Sequence, residues 1–257
     1  MNDVKPKGNV LVAGTAADKF FDLWHELLFN TARINKQPLH VHILNPNQSA
    51  LEVCEKYQSD TMTFSYCKHK LPRNCRPAVY YQNIRFFILP ELFKYIDKAM
   101  AIDFDTIILK KFDFPSEDIG VSRNSMPLRH KLNAIPFKIN NNVLDTEEQH
   151  LEKHEVFCWA TLMSKKVIDY VYAVIDEVKS IGWIEHVDHL GVWRPLKNRN
   201  YIDLLYTYIC PTYVESIKVN IHTLPMWTSD EWSEMEGSMG QRRWLEKYDY
   251  ICNNEMG

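Results

Sequence analysis

Two carboxylates stand one residue apart, directly after an uninterrupted apolar run. The run is Ala99–Ile102, and the carboxylates are Asp103 and Asp105. Continuous apolar runs are typical of strands covered on both faces, and open α/β sheets bind their ligands where such strands end. Residues two apart on a strand share a face, so both carboxylates can turn toward one hard cation. The spacing alone is more often that of two solvated loop carboxylates, and the flanking segments are what favour a divalent-cation site with Asp103 and Asp105 as ligands.

The segments on either side of this pair carry a longer pattern. Upstream, Tyr80–Phe93 reads YYQNIRFFILPELF, with Tyr81 and Arg85 four apart on a helix that leads into Pro-Glu-Leu. Downstream, Leu109–Phe112 reads LKKF. In order, spacing and residue type, these segments and the carboxylate pair resemble the glycosyltransferases of the GT-A fold, closest to glycosyltransferase family eight. Members of that family carry a Y-x-R helix with P-E-L, followed by a strand that ends in D-x-D.

This resemblance implies a fold and an activity. The expected fold is a single α/β, Rossmann-like GT-A domain over residues 1–257, with a mixed, mostly parallel central sheet flanked by helices. Residues 1–110 would form the nucleotide-binding half, and residues 111–257 the acceptor half with a C-terminal closing loop. The implied activity is metal-dependent transfer of a sugar from a nucleotide-diphosphate donor to an acceptor hydroxyl, with retention of anomeric configuration. The implied cofactor is Mn²⁺ or Mg²⁺.

The family motifs also imply which residues bind the donor. The donor-binding candidates are Ala13, Thr15, Asp18, Tyr81, Arg85, Asp103, Gly237 and Gly240. Two of these have a plainer alternative: Asp18 as an N-cap of the first helix, and Arg85 as a surface ion-pair partner of Glu91 or Asp97.

The resemblance places the catalytic candidates in the second half of the chain. Asp188 opens a segment similar to D-Q-x-x-L, whose Asp lies by the donor sugar, although a helix-surface Asp is the alternative. Arg242 and Arg243 follow two glycines in a loop suited to bend over a diphosphate, which guanidinium groups grip bidentately. The expected metal histidine is not at its usual offset. The candidates for a third metal ligand beside Asp103 and Asp105 are therefore His222, Glu234 and Glu236.

One segment departs from the family pattern. Where the family has Asn-Ala-Gly, this chain has Cys158, Trp159 and Ala160. The loss of the glycine puts the close approach of the backbone to the sugar in doubt. This departure keeps open an inactive scaffold of the same fold that binds a nucleotide or a partner. A nucleotidyltransferase is a further alternative, but Gly14 is an isolated glycine where such enzymes have a glycine-rich loop.

The elements that must position these residues alternate between strands and helices. The predicted strands are Asn9–Ala13, Leu39–Leu44, Thr61–Tyr66, Ile119–Ser122, Glu155–Met163 and Val219–His222, and helices are predicted to begin at Lys19, Ser49 and Lys165. Such alternation predicts a parallel sheet with right-handed crossovers. His40 and His42 share one face of the second strand, and they are interpreted as ordinary polar-face residues or, alternatively, as metal ligands.

Bulk composition narrows the class of protein. The chain has 257 residues, of which 46% are apolar, so it can bury a full core. The net charge of −3 does not favour binding of polyanions by bulk charge. The six cysteines include no Cys-x-x-Cys pair, which favours a reducing cytoplasm, or a host cytoplasm if the protein is viral. We also expect no membrane span, because no apolar run is long enough.

The acceptor is the least determined part of the hypothesis. Basic clusters at Lys68–Arg76, Arg123–Lys131 and Arg242–Lys247 offer phosphate contacts despite the negative total charge. A modified pyrimidine base in viral DNA, flipped out of its stack, is one candidate acceptor. A soluble or glycan acceptor is the other. Neither the sugar, the nucleotide nor the oligomeric state follows from the sequence.

Overall fold

A mixed sheet of seven strands dominates the computed structural model of the protein. The model describes residues 5–17, 19–68, 70–71, 75, 77–108, 111–123, 138–139, 142–143, 156–181, 191–192, 194–195, 205–209 and 226–227. Its strands are β1 (Val10–Ala16), β2 (Leu39–Leu44), β3 (Met62–Cys67), β4 (Lys98–Ile102), β5 (Ile107–Ile108), β6 (Ile119–Arg123), β7 (Lys138–Ile139), β8 (Asn142–Val143), β9 (Val156–Ser164), β10 (Leu205–Ile209) and β11 (Met226–Trp227). Its helices are α1 (Lys19–Ile34), α2 (Gln48–Tyr57), α3 (Pro77–Phe87), α4 (Leu89–Leu92) and α5 (Ile168–Ile181), the last preceded by a 3₁₀ turn at Lys165–Val167.

The strand order of the main sheet is β10-β6-β9-β4-β1-β2-β3. All neighbouring pairs are parallel except the two that involve β9, which runs antiparallel to both β4 and β6. The predicted mixed, mostly parallel α/β sheet is therefore confirmed. The remaining short strands form two small antiparallel pairs, β5 with β11 and β7 with β8.

Side chains alternate across the sheet and fill a large core on each face. One core joins α1 and α2 to one face, with β1 contributing Leu11 and Ala13. The other core joins α3, α4 and α5 to the opposite face, with β1 contributing Val10 and Val12. Helices cover both faces, which explains why the parallel strands read as continuous apolar runs in the sequence.

The first strand differs from its predicted extent. The sequence predicted a loop from Gly14, whereas β1 continues to Ala16 because Gly14–Ala16 pair with His42–Leu44 of β2. The predicted strand at Val219–His222 lies outside the described residues. Within those residues, no helix combines the length and the hydropathy that crossing a membrane requires.

Candidate functional site

The order of the strands reverses between β1 and β4. From β1 the chain moves outward through β2 to β3, then crosses back through α3 to β4 on the other side of β1. In open α/β sheets, ligands bind at the carboxyl ends of the strands where the order reverses in this way. Asp103 is the first residue after β4, so the predicted carboxylate pair lies at this point of the sheet.

A tight turn presents the two carboxylates. The Thr106 hydroxyl donates to the Asp103 carbonyl oxygen at 2.7 Å, and Thr106 is fully buried. Between the carboxylates, the Phe104 side chain packs into the core on the α1 side of the sheet. Asp105 is 8% exposed. The turn thus fixes the backbone from which Asp103 and Asp105 project.

Polar side chains at the end of α1 hold the strand that leaves this turn. The Ile108 amide donates to Thr31 Oγ1 at 3.1 Å, and Asn35 Nδ2 donates to the Ile108 carbonyl oxygen at 2.8 Å. Further along, the Phe112 amide donates to Gln37 Oε1 at 2.7 Å. These side chains satisfy backbone groups that would otherwise be buried without partners. The carboxylate turn is therefore attached to α1 by specific hydrogen bonds.

Arg85 forms an ion pair with Asp103. The guanidinium Nη1 contacts Asp103 Oδ1, and the arginine side chain is only 1% exposed whereas that of Asp103 is 15% exposed. The alternative of a surface ion pair is therefore wrong, and one of its proposed partners, Glu91, pairs with Lys94 instead. Helix α3 thus places a buried guanidinium group against Asp103, the first carboxylate of the pair.

Gly14 allows α3 to sit close enough for this contact. A methyl group placed on Gly14 would overlap Ile84 Cγ2 and would lie 2.8 Å from the Arg85 backbone nitrogen. The Tyr81 carbonyl oxygen would be 3.2 Å away. Because two of these three neighbours are backbone atoms, α3 would have to move to accommodate a side chain. The absence of a side chain at Gly14 is therefore what brings the Arg85 backbone onto β1.

The other predicted site residues divide into two groups. Ala13 and Thr15 are buried in β1, and Tyr81 is partly buried in α3 against a cluster that includes Tyr80 and Ile84. Their donor-binding roles stay predictions. Asp18, Asp188, His222, Glu234, Glu236, Gly237, Gly240, Arg242 and Arg243 lie outside the described residues.

The motifs in the sequence do not indicate Phe20, a residue of α1. Its ring is 41% exposed and lies 6.2 Å from that of Phe104, measured between centroids. Phe20 is in the first turn of α1, which follows β1 at the carboxyl edge of the sheet. No sequence signal separates Phe20 from the buried Phe21, because adjacent residues such as Leu28 and Phe29 are both buried in this helix.

The donor set at the turn suits a hard divalent cation. Asp103 and Asp105 supply carboxylate oxygens, which Mn²⁺ and Mg²⁺ prefer. In the part of the chain that the structure describes, no three histidine, cysteine, aspartate or glutamate side chains are grouped as metal ligands. All three candidates for a third ligand lie outside the described residues. The described residues therefore fit two positions of a cation site.

Comparison with known proteins finds similarity among solved structures. No family model and no curated protein sequence matches this chain. Among solved structures, the chain is similar to a glycosyltransferase involved in the glycosylation of the major capsid of PBCV-1. The two chains share 10% sequence identity over 94% of this chain and 98% of that chain, with a TM-score of 0.44. A likeness at this level of identity and superposition does not assign an activity.

Proposed function

We propose that this protein is a metal-dependent glycosyltransferase of the GT-A type that uses a nucleotide-diphosphate sugar as donor. The observation that carries the proposal is the position of Asp103 and Asp105 at the carboxyl ends of β1 and β4, with Arg85 buried against Asp103. Nucleotides bind at this edge of open α/β sheets, and paired carboxylates would hold a divalent cation there.

In this proposal the ligands are Asp103 and Asp105, joined by one of His222, Glu234 or Glu236. Mn²⁺ or Mg²⁺ held there would supply Lewis-acid stabilisation of the leaving diphosphate. The positive charge of Arg85 reduces the repulsion between the neighbouring carboxylates. Arg242 and Arg243 are proposed to add positive charge near the diphosphate, and Asp188 to contact the sugar.

Phe20 is proposed to contact the donor or the acceptor. Exposed aromatic rings at a ligand crevice stack on nucleobases and on the apolar faces of sugars. The partly exposed ring of Phe20, supported by Phe104, has this character. Replacement of Phe20 by alanine should therefore reduce the free energy of ligand binding by more than it reduces the free energy of unfolding.

The acceptor stays a prediction. Lys68 and Lys70 of the first basic cluster are exposed, and the other two basic clusters lie almost wholly outside the described residues. Phosphate contacts from such clusters would suit a DNA acceptor. A soluble hydroxyl or a glycan remains the alternative acceptor, with retention of configuration proposed in either case.

Donor turnover separates an active transferase from an inactive scaffold. Purified protein is incubated with a panel of nucleotide-diphosphate sugars and Mn²⁺, and released nucleoside diphosphate is measured. We expect slow hydrolysis of at least one donor, which a chelator and Asp105→Asn abolish and the remote variant Asp60→Asn leaves intact. Binding of a nucleotide without hydrolysis of any donor would instead support the inactive scaffold.

A further inference from the structure

Five polar side chains form a continuous hydrogen-bonded row across β2 and β3. His40 Nδ1 lies 2.9 Å from Thr63 Oγ1, and His40 Nε2 lies 2.8 Å from Ser65 Oγ. His42 Nδ1 lies 2.8 Å from the same Ser65 oxygen, and His42 Nε2 lies 3.1 Å from Cys67 Sγ. The row begins at the buried Thr63 hydroxyl and ends at the partly buried Cys67 thiol on the carboxyl edge of the sheet.

The register of the sheet explains this row. His40 pairs with Thr63 and His42 pairs with Ser65, and residues two apart on each strand share a face. Cys67, two residues beyond Ser65, ends β3 on that same face. The interpretation of His40 and His42 as metal ligands is not supported, because their ring nitrogens contact hydroxyl groups and the one thiol.

The row can carry its protons in either direction, and in one of the two arrangements the Cys67 thiol is a donor. Burial, followed by the charges of His42 and Lys5, lowers the pKa of His40 to about 3, so His40 is neutral. The Cys67 thiol can then donate to His42 Nε2, and His42 Nδ1–H can donate to Ser65 Oγ. The Ser65 hydroxyl in turn donates to His40 Nε2, and His40 Nδ1–H donates to Thr63. This arrangement places a proton-accepting nitrogen against the thiol.

We propose that Cys67 is a reactive thiol that exchanges with low-molecular-weight disulfides, with His42 as its base and Ser65 as a positioning residue. A nucleophile within hydrogen-bonding distance of a base, which a third group orients, is the arrangement that activates thiols and hydroxyls. The distances of 3.1 Å and 2.8 Å along Cys67, His42 and Ser65 satisfy this requirement.

The exchange balances without a further reactant. Cys67 Sγ attacks one sulfur of the disulfide while its proton passes to His42 Nε2, and the disulfide bond of the reagent breaks. The departing thiolate takes the proton from His42, which leaves a mixed disulfide on Cys67 and one free thiol. Burial raises the pKa of the Cys67 thiol, so the resting group is protonated and a base is needed.

A group attached to Cys67 would lie beside the candidate site. Cys67 and Tyr81 both pack against the buried cluster that contains Tyr80 and Ile84 of α3. The same helix carries Arg85, and Ile84 is one of its residues that lie against Gly14. Thiol exchange would therefore change the packing beneath the helix that carries the buried arginine. The reaction itself needs no donor, so its test is independent of the proposed transferase activity.

The chain contains internal controls for the test. Cys75 is partly buried against the same cluster as Cys67, and it reports the reactivity of an ordinary thiol in these surroundings. Cys54 is fully buried, and burial raises its pKa to about 12, so it reports unfolding. The folded protein is treated with 4,4′-dithiodipyridine, and the labelling rate of each cysteine is followed by peptide mass spectrometry.

We expect Cys67 to react at least about tenfold faster than Cys75, since general-base assistance contributes roughly 10²-fold or more. His42→Gln should remove most of this advantage and leave the rates at Cys75 and Cys54 unchanged. If His42→Gln speeds the labelling of Cys54, that variant is partly unfolded, and Ser65→Ala is used instead. We expect Ser65→Ala to lower the labelling rate of Cys67 about fivefold. Equal rates at Cys67 and Cys75 in the wild-type protein would overturn the proposal. An unchanged Cys67 rate in whichever variant keeps Cys54 protected would also overturn it.

Discussion

The ion pair between Arg85 and Asp103 is the contact that joins α3 to the end of β4. An arginine that is 1% exposed has lost nearly all its hydration, and the carboxylate compensates for that loss. Removal of one partner of such a pair costs more than the pair contributes, because a buried charge is left without a counter-charge. The contact therefore matters for stability as well as for the cation site.

Replacement of Arg85 by methionine should lower both stability and donor binding. We expect a loss of about 3 kcal/mol in the free energy of unfolding, because Asp103 loses its buried partner. Arg85→Lys keeps the charge but not the planar fork, so its loss should be smaller. Urea denaturation measures the free energy of unfolding of both Arg85 variants. Lys94→Met serves as the control, because its pair with Glu91 is exposed. Equal stability of Arg85→Met and the control would show that the ion pair contributes nothing.

At the scale of elements, the sequence predicted the strands near the site but not how the elements meet. The apolar runs located β1, β2 and β4 because a strand buried on both faces shows this pattern in one dimension. The partner of Arg85 was not predictable, since it depends on how closely α3 approaches Gly14 across the sheet. The row from His40 to Cys67 was missed for the same reason, because cross-strand contacts follow from register rather than from local sequence.

The turn after β4 gives a prediction at this scale. Thr106→Val removes the hydroxyl that bonds to the Asp103 carbonyl oxygen, so the two carboxylates should lose part of their fixed orientation. A loss of about 1 kcal/mol corresponds to roughly fivefold weaker Mn²⁺ binding, which calorimetry can measure. Ser59→Ala is the matched control, because it removes the hydroxyl that accepts from the Met62 amide in a remote turn. Mn²⁺ binding that falls equally in both variants would exclude a specific role for Thr106.

At the scale of the whole molecule, the buried His40 makes stability depend on pH. Its pKa is about 3 in the folded protein and 6.5 when unfolded, so the unfolded chain binds the extra proton first. The contribution of the neutral His40 to stability is therefore fully present above pH 6.5, and it is lost as the pH falls from 6.5 toward 3. The loss is about 1.4 kcal/mol per pH unit, or roughly 2 kcal/mol between pH 7 and pH 5.

Thermal or urea unfolding between pH 7 and pH 5 tests this dependence, in a range above the titration of most carboxylates. His40→Gln should flatten the curve over that interval, because glutamine does not titrate. An equally steep fall in the variant would assign the pH dependence to other groups.

Cation-dependent nucleotide binding is the most direct test of the site at Asp103 and Asp105. Equilibrium dialysis measures retention of each common nucleoside diphosphate by the wild-type protein, Asp105→Asn and Asp60→Asn, with and without Mn²⁺. Asp60 is exposed in the turn before β3, at the opposite edge of the sheet, so its variant controls for the loss of one carboxylate. We predict that the wild-type protein and Asp60→Asn retain at least one nucleotide only when Mn²⁺ is present, and that Asp105→Asn retains none. Retention that is independent of Mn²⁺, or unchanged in Asp105→Asn, would contradict a cation site at this turn.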